Sequence, residues 1–291
     1  MSGVEVPGGV ARHRFELRSR EEMMPGYLWT AAGGHGRRPL VLLGHGATAS
    51  KDTPRVTALA MRLVAELGYA VAAIDFPNHG ERRPEEERPV PAAQVRSAMG
   101  LVAWRQRNTQ ATEQAICDLR ATVDFASERS DVNPDRVGYI GLSMGTRFGV
   151  PFVAAEPRVK AAVFGLFGWS ADLRRPDEEG LAERSQAFAA AARTIRAPAL
   201  FLLQWDDELF PRQDGLTLYD LLGSPEKTLH ANPGGHIALP RAEVADIIQF
   251  VRRHLSGTGL TAKATALASP VAGWQCSPTG AARESLSAGS C

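Results

Sequence analysis

Residues 136–155 read RVGYIGLSMGTRFGVPFVAA, and this stretch decides the fold. An apolar run over 136–140 predicts a strand, and the pattern after it predicts a helix over 145–155. Between them lies the pentapeptide GLSMG, a G-x-S-x-G sequence typical of a tight strand-to-helix turn that exposes a serine hydroxyl. We therefore predict Ser143 as a nucleophile. The alternative is a glycine-rich turn whose serine has no role.

Outward from this stretch, short apolar runs alternate with longer helical patterns, as in a parallel sheet wrapped by helices. An antiparallel pair over 12–30 is expected at one sheet edge. The expected fold class is α/β, with a mostly parallel central sheet and helices on both faces. Strands are expected at 40–43, 69–74, 136–140, 161–164, 199–203 and 227–230, and helices at 53–67, 109–129, 145–155, 181–195, 212–222 and 241–255.

Two insertions interrupt the alternation, at 80–108 and 169–196. Connections of that length are usually functional, so we expect the two insertions to form a small lid over a pocket. The alternative for the first is a solvated, charged loop. We predict one domain over 1–255 and a disordered tail over 256–291, because the tail is rich in small polar residues and lacks apolar periodicity.

Charge and composition exclude several function classes. The 33 Lys and Arg residues nearly balance the 32 Asp and Glu residues, which argues against nucleic acid as the main partner. No run approaches the roughly 18 apolar residues of a membrane span, and the N-terminus lacks a secretory pattern, so a soluble, cytoplasmic protein with no membrane contact is expected. The three widely spaced cysteines do not fit a disulfide scaffold or a zinc ribbon.

A serine nucleophile needs a base and an acid that orients the base, and in this strand–helix context they are expected in the order Ser, Asp, His. The segment 204–211, QWDDELFP, follows a predicted strand and offers two adjacent acids, Asp206 and Asp207. His236 follows in the glycine-led loop PGGH at 233–236. We predict His236 as the base, and spacing alone leaves the choice between the two acids open.

The remaining six histidines are weaker candidates for the base. His45 and His79 each follow another predicted strand and are expected to line the site without acting as the base. The other four lie before the first parallel strand, within a strand or at a helix end: His13, His35, His230 and His254.

An oxyanion hole needs two backbone N–H groups directed at the developing negative charge. Met144 follows the nucleophile and supplies one. We expect the second from Ala47, because the preceding Gly44-His45-Gly46 lets the backbone approach a substrate closely. The alternative for that segment is a plain glycine turn.

Substrate contacts are expected from aromatic residues in or beside the two insertions. Trp104 lies in the first, and Phe167 and Trp169 follow a predicted strand. Arg105 and Arg107 would add cationic groups able to pair with a substrate carboxylate. The alternative is a surface loop in which these arginines pair with the glutamates at 85–87.

Together, the GHG and GLSMG segments, Asp207 and His236 resemble the α/β-hydrolase family. DLRATVDF at 118–125 and DRV at 135–137 are similar to the branch containing dienelactone hydrolases, acetyl xylan esterases and prolyl-oligopeptidase-type domains. The family pattern Gly-x-x-Asp-x-x-x-Pro aligns with 204–211 and favours Asp207 over Asp206. Gln204 stands where that pattern has glycine, Thr146 replaces a glycine common after the elbow, and Ser143 stands where true dienelactone hydrolases carry cysteine.

The resemblance implies a serine hydrolase that cleaves a carboxylic ester of a small molecule through an acyl-enzyme. An amidase, peptidase or thioesterase with the same triad, and a non-catalytic ligand-binding protein on the same scaffold, stay open because a fold does not set the substrate. No metal and no organic cofactor is expected, since side chains and backbone donors suffice for the chemistry. The sequence leaves the oligomeric state open.

Overall fold

The structure is a computed structural model that describes residues 3–6, 9–33, 36–47, 49–87, 101–168 and 181–256; it leaves out the side chains of 3–6, 101–106 and 181–184. The strands are β1 (Gly3–Val6), β2 (Val10–Ser19), β3 (Glu22–Ala31), β4 (Arg38–Gly44), β5 (Ala70–Ile74), β6 (Val132–Gly141), β7 (Val159–Gly165), β8 (Ala199–Gln204) and β9 (Lys227–Asn232). The α-helices are α1 (Pro54–Leu67), α2 (Leu101–Ser127), α3 (Met144–Ala155), α4 (Leu181–Thr194), α5 (Arg212–Leu221) and α6 (Arg241–Leu255).

All of these strands belong to one sheet, in the order β1-β2-β3-β5-β4-β6-β7-β8-β9. Strands β4 to β9 run parallel, and β3 joins them antiparallel to β5. The predicted α/β fold class is confirmed. The expected antiparallel pair is β2 and β3, but it is not outermost: β1 pairs with β2 outside it. A four-residue strand is too short to show a periodic pattern, so the sequence did not predict β1.

Two apolar clusters fill the two faces of the sheet. In β4, residues 40–43 are buried on both faces, as expected for a central parallel strand. One cluster joins the sheet to α2, α3 and α4, and the other joins it to α1 and α6. Helices therefore cover both faces, and the carboxyl ends of β4 to β9 share one edge of the sheet, where ligands meet such folds.

Helix ends follow the sequence closely except in the first insertion. Helix α1 stops at Gly68, which has a φ of 69° and donates its N–H to the Val64 carbonyl. Helix α2 begins at Leu101, whereas the pattern predicted a start near 109. The segment WRQRN at 104–108 lacks apolar spacing, so its helical state left no periodic signal.

The rest of the two insertions is described only in part. Residues 80–82 and 85–87 form two 3₁₀ turns. Residues 88–100, 169–180 and 257–291 lie outside the described ranges, so the lid and the disordered tail stay predictions. Across the described part of the chain, no helix combines the length and apolar character needed to cross a membrane.

Candidate active site

Ser143 lies on a strained turn between β6 and α3. Its φ of 58° and ψ of −119° are unusual for a residue with a side chain. Glycines on either side allow the turn: a Cβ on Gly145 would lie 2.5 Å from the Gly44 carbonyl oxygen, and one on Gly141 would lie 2.6 Å from the Gly145 carbonyl oxygen. Larger residues at 141 or 145 would push the backbone apart, so the pentapeptide is needed for this turn.

Thr146 anchors the turn to the next strand. Its buried hydroxyl lies 2.8 Å from the Gly141 carbonyl oxygen and 2.7 Å from that of Gly165, and it accepts the Gly165 N–H at 2.8 Å. The Ser143 N–H donates to the same Gly165 carbonyl at 2.9 Å. The sequence offered Thr146 only as a departure from a glycine. In the structure, the Thr146 hydroxyl makes three polar contacts that a glycine at this position could not make.

Ser143, His236 and Asp207 come together at the carboxyl edge of the sheet. The His236 Nε2 lies 3.0 Å from the Ser143 Oγ, and the His236 Nδ1 lies 2.8 Å from an Asp207 carboxylate oxygen. Because a carboxylate only accepts, Nδ1 carries the proton and Nε2 is free to accept the serine O–H. The side chains of His236 and Asp207 are 10% and 3% exposed, so the ion-pair side of the site is largely desolvated, while Ser143 is half-buried.

The two adjacent acids have different partners. One Asp207 oxygen accepts the ring N–H of His236, and the other accepts the backbone N–H groups of Leu209 and Phe210 at 2.8 and 3.0 Å. The exposed Asp206 carboxylate instead accepts the Gly234 N–H at 3.2 Å. Only Asp207 therefore contacts the imidazole, and its second oxygen is held in place by its own loop.

His45 lies beneath the loop that follows β4. It is 2% exposed, its Nδ1 lies 2.8 Å from the Gly46 carbonyl oxygen, and its Nε2 accepts the Phe76 N–H at 3.0 Å. These partners require the neutral ring, and burial lowers its pKa from 6.5 to about 4. Both ring nitrogens therefore form hydrogen bonds with backbone groups of the protein. The geometry thus favours a structural role over the substrate contact we predicted.

His79 joins two loops at the same edge. It bonds to the backbone of Pro77, 2.9 Å from its carbonyl oxygen, and to the backbone of Ala47. Burial lowers its pKa. Ala47 is the predicted second oxyanion donor, so His79 lies against the segment expected to hold the developing charge. The oxyanion roles of Ala47 and Met144, which begins α3, stay predictions.

A row of aromatic rings leads to His236. The Phe167 ring centroid lies 5.9 Å from that of Phe188 and 4.9 Å from that of Phe210, and Phe210 lies 5.7 Å from the imidazole of His236. Phe167, predicted to contact substrate, thus belongs to an apolar wall that reaches the site. Of the other predicted substrate contacts, the Trp104 side chain and all of Trp169 lie outside the described residues.

A polar side chain contacts Asn78, the neighbour of His79 in the chain. Arg107 donates to both oxygens of Glu87, at 2.7 and 3.0 Å, and to the Asn78 side chain at 2.7 Å. The sequence left two roles open for Arg107, pairing with a substrate carboxylate or pairing with a glutamate at 85–87. In the structure, Arg107 pairs with Glu87. Arg147, one turn after the nucleophile, donates to the Asn108 carbonyl at 3.2 Å.

A buried ion network supports the loops after β4 and β5. The Lys51 ammonium, 1% exposed, lies 2.7 Å from Asp75 and 2.5 Å from Glu81. Burial lowers the pKa of Lys51, but hydrogen bonds to Asp75 and Glu81 outweigh burial and raise it overall. The Asp75 carboxylate also accepts the backbone N–H groups of Lys51 and Glu81, each at 2.9 Å. The sequence did not reveal this network, because its members lie far apart in the chain.

Among the described residues, one cluster of His, Asp and Glu side chains is compact enough to be considered as a metal site. One group, His230, Glu243 and Asp246, brings three ligand atoms within 4.8 Å of one another. It lies between β9 and α6, not at Ser143, and the His230 Nδ1 is 3.1 Å from Glu243, a hydrogen-bond distance. This contact needs no ion to explain it.

Comparisons with known proteins identify a family and related folds. The dienelactone hydrolase family model matches residues 25–226. The PEG-bound structure of a cold-adapted esterase from an Arctic intertidal metagenomic library is 34% identical, with a TM-score of 0.69 over 88% of this chain and 100% of that chain. Acetyl xylan esterase from Paenibacillus sp. R4 is 19% identical, with a TM-score of 0.68 over 87% of this chain and 88% of that chain, and at this identity it shows a shared fold.

One curated relative matches over a shorter stretch. The protein YtaP of Bacillus subtilis (strain 168) is 34% identical over 100 residues, which are 34% of this chain and 30% of that protein. The chain thus spans less than a third of the length of that relative.

Proposed function

This chain belongs to the dienelactone hydrolase family of esterase-type hydrolases, and we propose that it cleaves a carboxylic ester of a small molecule. In this proposal Ser143 is the nucleophile, His236 the general base and Asp207 the acid that orients it. The observation that carries the proposal is the position of His236, which lies 3.0 Å from the Ser143 Oγ and 2.8 Å from the Asp207 carboxylate. The cold-adapted esterase, 34% identical to this chain, supports an ester as substrate.

The proposed reaction has two acyl-transfer steps. The Ser143 Oγ attacks the ester carbonyl while the His236 Nε2 takes its proton, and the Ala47 and Met144 N–H groups bind the oxyanion. The imidazolium, stabilised by Asp207, then protonates the leaving alcohol and leaves an acyl-Ser143. Water, deprotonated by His236, releases the acid and restores the hydroxyl. No step needs a metal or a cofactor.

Two features narrow the proposed substrate. Ser143 stands where dienelactone hydrolases carry cysteine, which favours a simple ester over a dienelactone. The rings of Phe167 and Phe210 extend from His236, which supports an apolar group on the acyl or alcohol side. The near balance of charged residues agrees with a small, mostly uncharged ester.

Replacing the proposed nucleophile is the primary test. We expect Ser143→Ala to lower kcat for a short p-nitrophenyl ester by about 10⁶-fold, to the assay background, with an unchanged melting temperature. Ser130→Ala, at an exposed serine in the turn before β6, is the matched control and should keep full activity. Retained hydrolysis by Ser143→Ala would overturn the assignment.

Two further measurements separate the alternatives. A fluorophosphonate should label the wild type at Ser143 and leave Ser143→Ala unlabelled, whereas a non-catalytic ligand-binding protein would not be labelled. Matched ester, amide and thioester substrates then rank the acyl chemistry. We expect the ester to have the highest kcat/KM, and a preference for amide or thioester would identify an amidase, peptidase or thioesterase.

A further inference from the structure

Three consecutive acids reach from the loop after β8 to the loop after β9. Asp206 accepts the Gly234 N–H at 3.2 Å, and Asp207 accepts the ring N–H of His236 at 2.8 Å. Glu208 accepts the backbone N–H of His236 at 2.8 Å. We propose that Glu208 is a positioning residue for His236, an inference that rests on the proposed function of that histidine as the base.

Two carboxylates hold His236 at two different points. Asp207 accepts the ring N–H and fixes the rotation of the imidazole. Glu208 accepts the backbone N–H and fixes the position of the His236 main chain. The distance from Nε2 to the Ser143 Oγ depends on both contacts. Proton transfer needs these two atoms near 3 Å, and a displacement of about 1 Å can lower a rate by about 100-fold.

Gly235 lies against the same Glu208 carboxylate. A Cβ at this position would lie 2.6 Å from the Glu208 Oε2 that accepts the His236 N–H. The φ of Gly235 lies outside the left-handed region, unlike that of Gly234 at 103°, so backbone conformation does not require glycine at 235. A methyl group at 235 would instead displace the Glu208 carboxylate, which is the free end of an exposed side chain.

The loop has other contacts that do not involve Glu208. The Asp206 N–H donates to the Gly234 carbonyl at 3.1 Å, and the Trp205 N–H donates to the Asn232 carbonyl at 2.7 Å. The buried Gln204 amide donates to the Gly235 carbonyl at 3.3 Å, so the residue that departs from the family glycine also holds this loop. Loss of Glu208 should therefore leave the loop folded and release only the main chain of His236.

The Glu208 side chain is exposed, so its substitution can change the position of His236 without changing the stability of the fold. Substitution of an exposed residue generally changes the free energy of unfolding little. The hydrogen bond from the His236 N–H lowers the pKa of the Glu208 carboxyl. The carboxyl is therefore in its accepting, ionised form in neutral solution.

The first test compares Glu208→Ala, Glu208→Gln and Glu128→Ala. Glu128 is an exposed glutamate in the turn between α2 and β6, at the opposite edge of the sheet, and is the matched control. For a p-nitrophenyl ester, we expect Glu208→Ala to lower kcat by about 10- to 100-fold at an unchanged KM and melting temperature. Glu208→Gln keeps an accepting oxygen and should recover most of the loss, and Glu128→Ala should match the wild type.

The second test uses Gly235→Ala in a double-mutant cycle. The added methyl displaces the Glu208 carboxylate, so this variant should lose kcat as Glu208→Ala does. In the double variant the methyl has room and there is no further contact to lose, so the two effects should not add. Full additivity, or wild-type kcat in Glu208→Ala, would overturn the positioning role.

A spectroscopic measurement distinguishes failure of this inference from failure of the esterase proposal. The His236 Nδ1 proton, shared with Asp207, should give a low-field proton NMR signal in the wild type and in Glu208→Gln. We expect it to broaden or shift in Glu208→Ala and Gly235→Ala. A wild type that shows the signal but hydrolyses no ester contradicts the proposed function, whereas an unaltered signal in Glu208→Ala contradicts the positioning of His236 by Glu208.

Discussion

Two loop pairs lie at the carboxyl edge of the sheet that carries Ser143, and different kinds of group hold them in place. The loops after β4 and β5 are held by buried groups: Lys51 and Asp75 are 1% and 0% exposed, and His45 is 2% exposed. The loops after β8 and β9 are held by carboxylates at the surface, where Asp206 and Glu208 accept backbone N–H groups. We call these the buried loop pair and the exposed loop pair.

Because of this difference in burial, we expect changes in the two loop pairs to affect different quantities, the free energy of unfolding for one and kcat for the other. A buried charge that loses its partner cannot return to water, so changes in the buried loop pair should appear in the free energy of unfolding. The Asp206 and Glu208 carboxylates are exposed and therefore solvated in either state, so changes at these two residues should leave that free energy nearly unchanged. Their effect should appear in kcat, because this pair carries the proposed base and acid.

The largest expected effect tests the exposed loop pair. Asp207→Asn should lower kcat for a p-nitrophenyl ester by about 10⁴-fold, because an amide in place of the carboxylate stops stabilising the imidazolium and favours the wrong tautomer. The Asp207 side chain is only 3% exposed, but the asparagine amide has the same shape and keeps one accepting oxygen, so the variant should stay folded. Kinetics and thermal unfolding measured on the same preparation check both statements.

Asp206→Asn is the matched control for this prediction, since it changes the same residue type one position earlier. Its side chain contacts the Gly234 N–H and not the imidazole, so kcat should fall no more than a few-fold. Equal losses in the two variants would contradict the assignment of Asp207. A large drop in melting temperature with Asp206→Asn, at an exposed carboxylate, would contradict the separation between the loop pairs.

The next effect tests the buried loop pair. Lys51→Met keeps the length of the side chain but removes the ammonium, which leaves the Asp75 carboxylate buried without its cation. We expect the free energy of unfolding to fall by about 3–5 kcal/mol. Urea unfolding followed by circular dichroism measures it.

Arg62→Met is the control for this prediction, because Arg62 and Glu66 form an ion pair on α1 with side chains 41% and 39% exposed. Its loss should cost no more than about 0.5 kcal/mol. Similar losses for Lys51→Met and Arg62→Met would show that burial does not govern the strength of these pairs.

The two loop pairs also differ in what the sequence revealed. In the exposed loop pair, QWDDELFP and PGGH lie within short segments, so the acid pair and His236 could be named from order along the chain. Spacing could not choose between Asp206 and Asp207, because the choice depends on which oxygen reaches the imidazole. The family pattern favoured Asp207, and the hydrogen bonds place that carboxylate on the ring.

The buried loop pair was harder to predict. Lys51 and Asp75 are 24 positions apart and meet only through the folded sheet, so no local pattern reveals them. His45 was expected near substrate because of its place after β4, but the Phe76 N–H occupies its free ring nitrogen. The strands and most helices were predictable from apolar periodicity, whereas the polar start of α2 and the short β1 lack such a signal.

The smallest of the three effects is a pH dependence in the buried loop pair. The pKa of His45 is lowered from 6.5 to about 4 by burial, so the unfolded chain binds this proton first as the pH falls. The stability from neutral His45 is complete above pH 6.5, is lost as the pH falls toward 4, and does not change further below that. The total loss is about 3 kcal/mol, from about 1.4 kcal/mol per pKa unit.

His45→Gln isolates this contribution, because the glutamine carbonyl can accept the Phe76 N–H but does not titrate. Titrating groups that do not interact with His45 are present in both proteins and cancel in the difference. His79 does interact with it, since the two ring centroids lie 5.6 Å apart, so both proteins are compared in a His79→Gln background. Urea unfolding of both proteins at pH 7, 5.5 and 4 should show the wild-type advantage shrinking by about 3 kcal/mol over that range. A stability difference between the two proteins that does not change with pH would mean that His45 has the same pKa in the folded and unfolded states. The buried loop pair would then lack the desolvation that distinguishes it from the exposed loop pair.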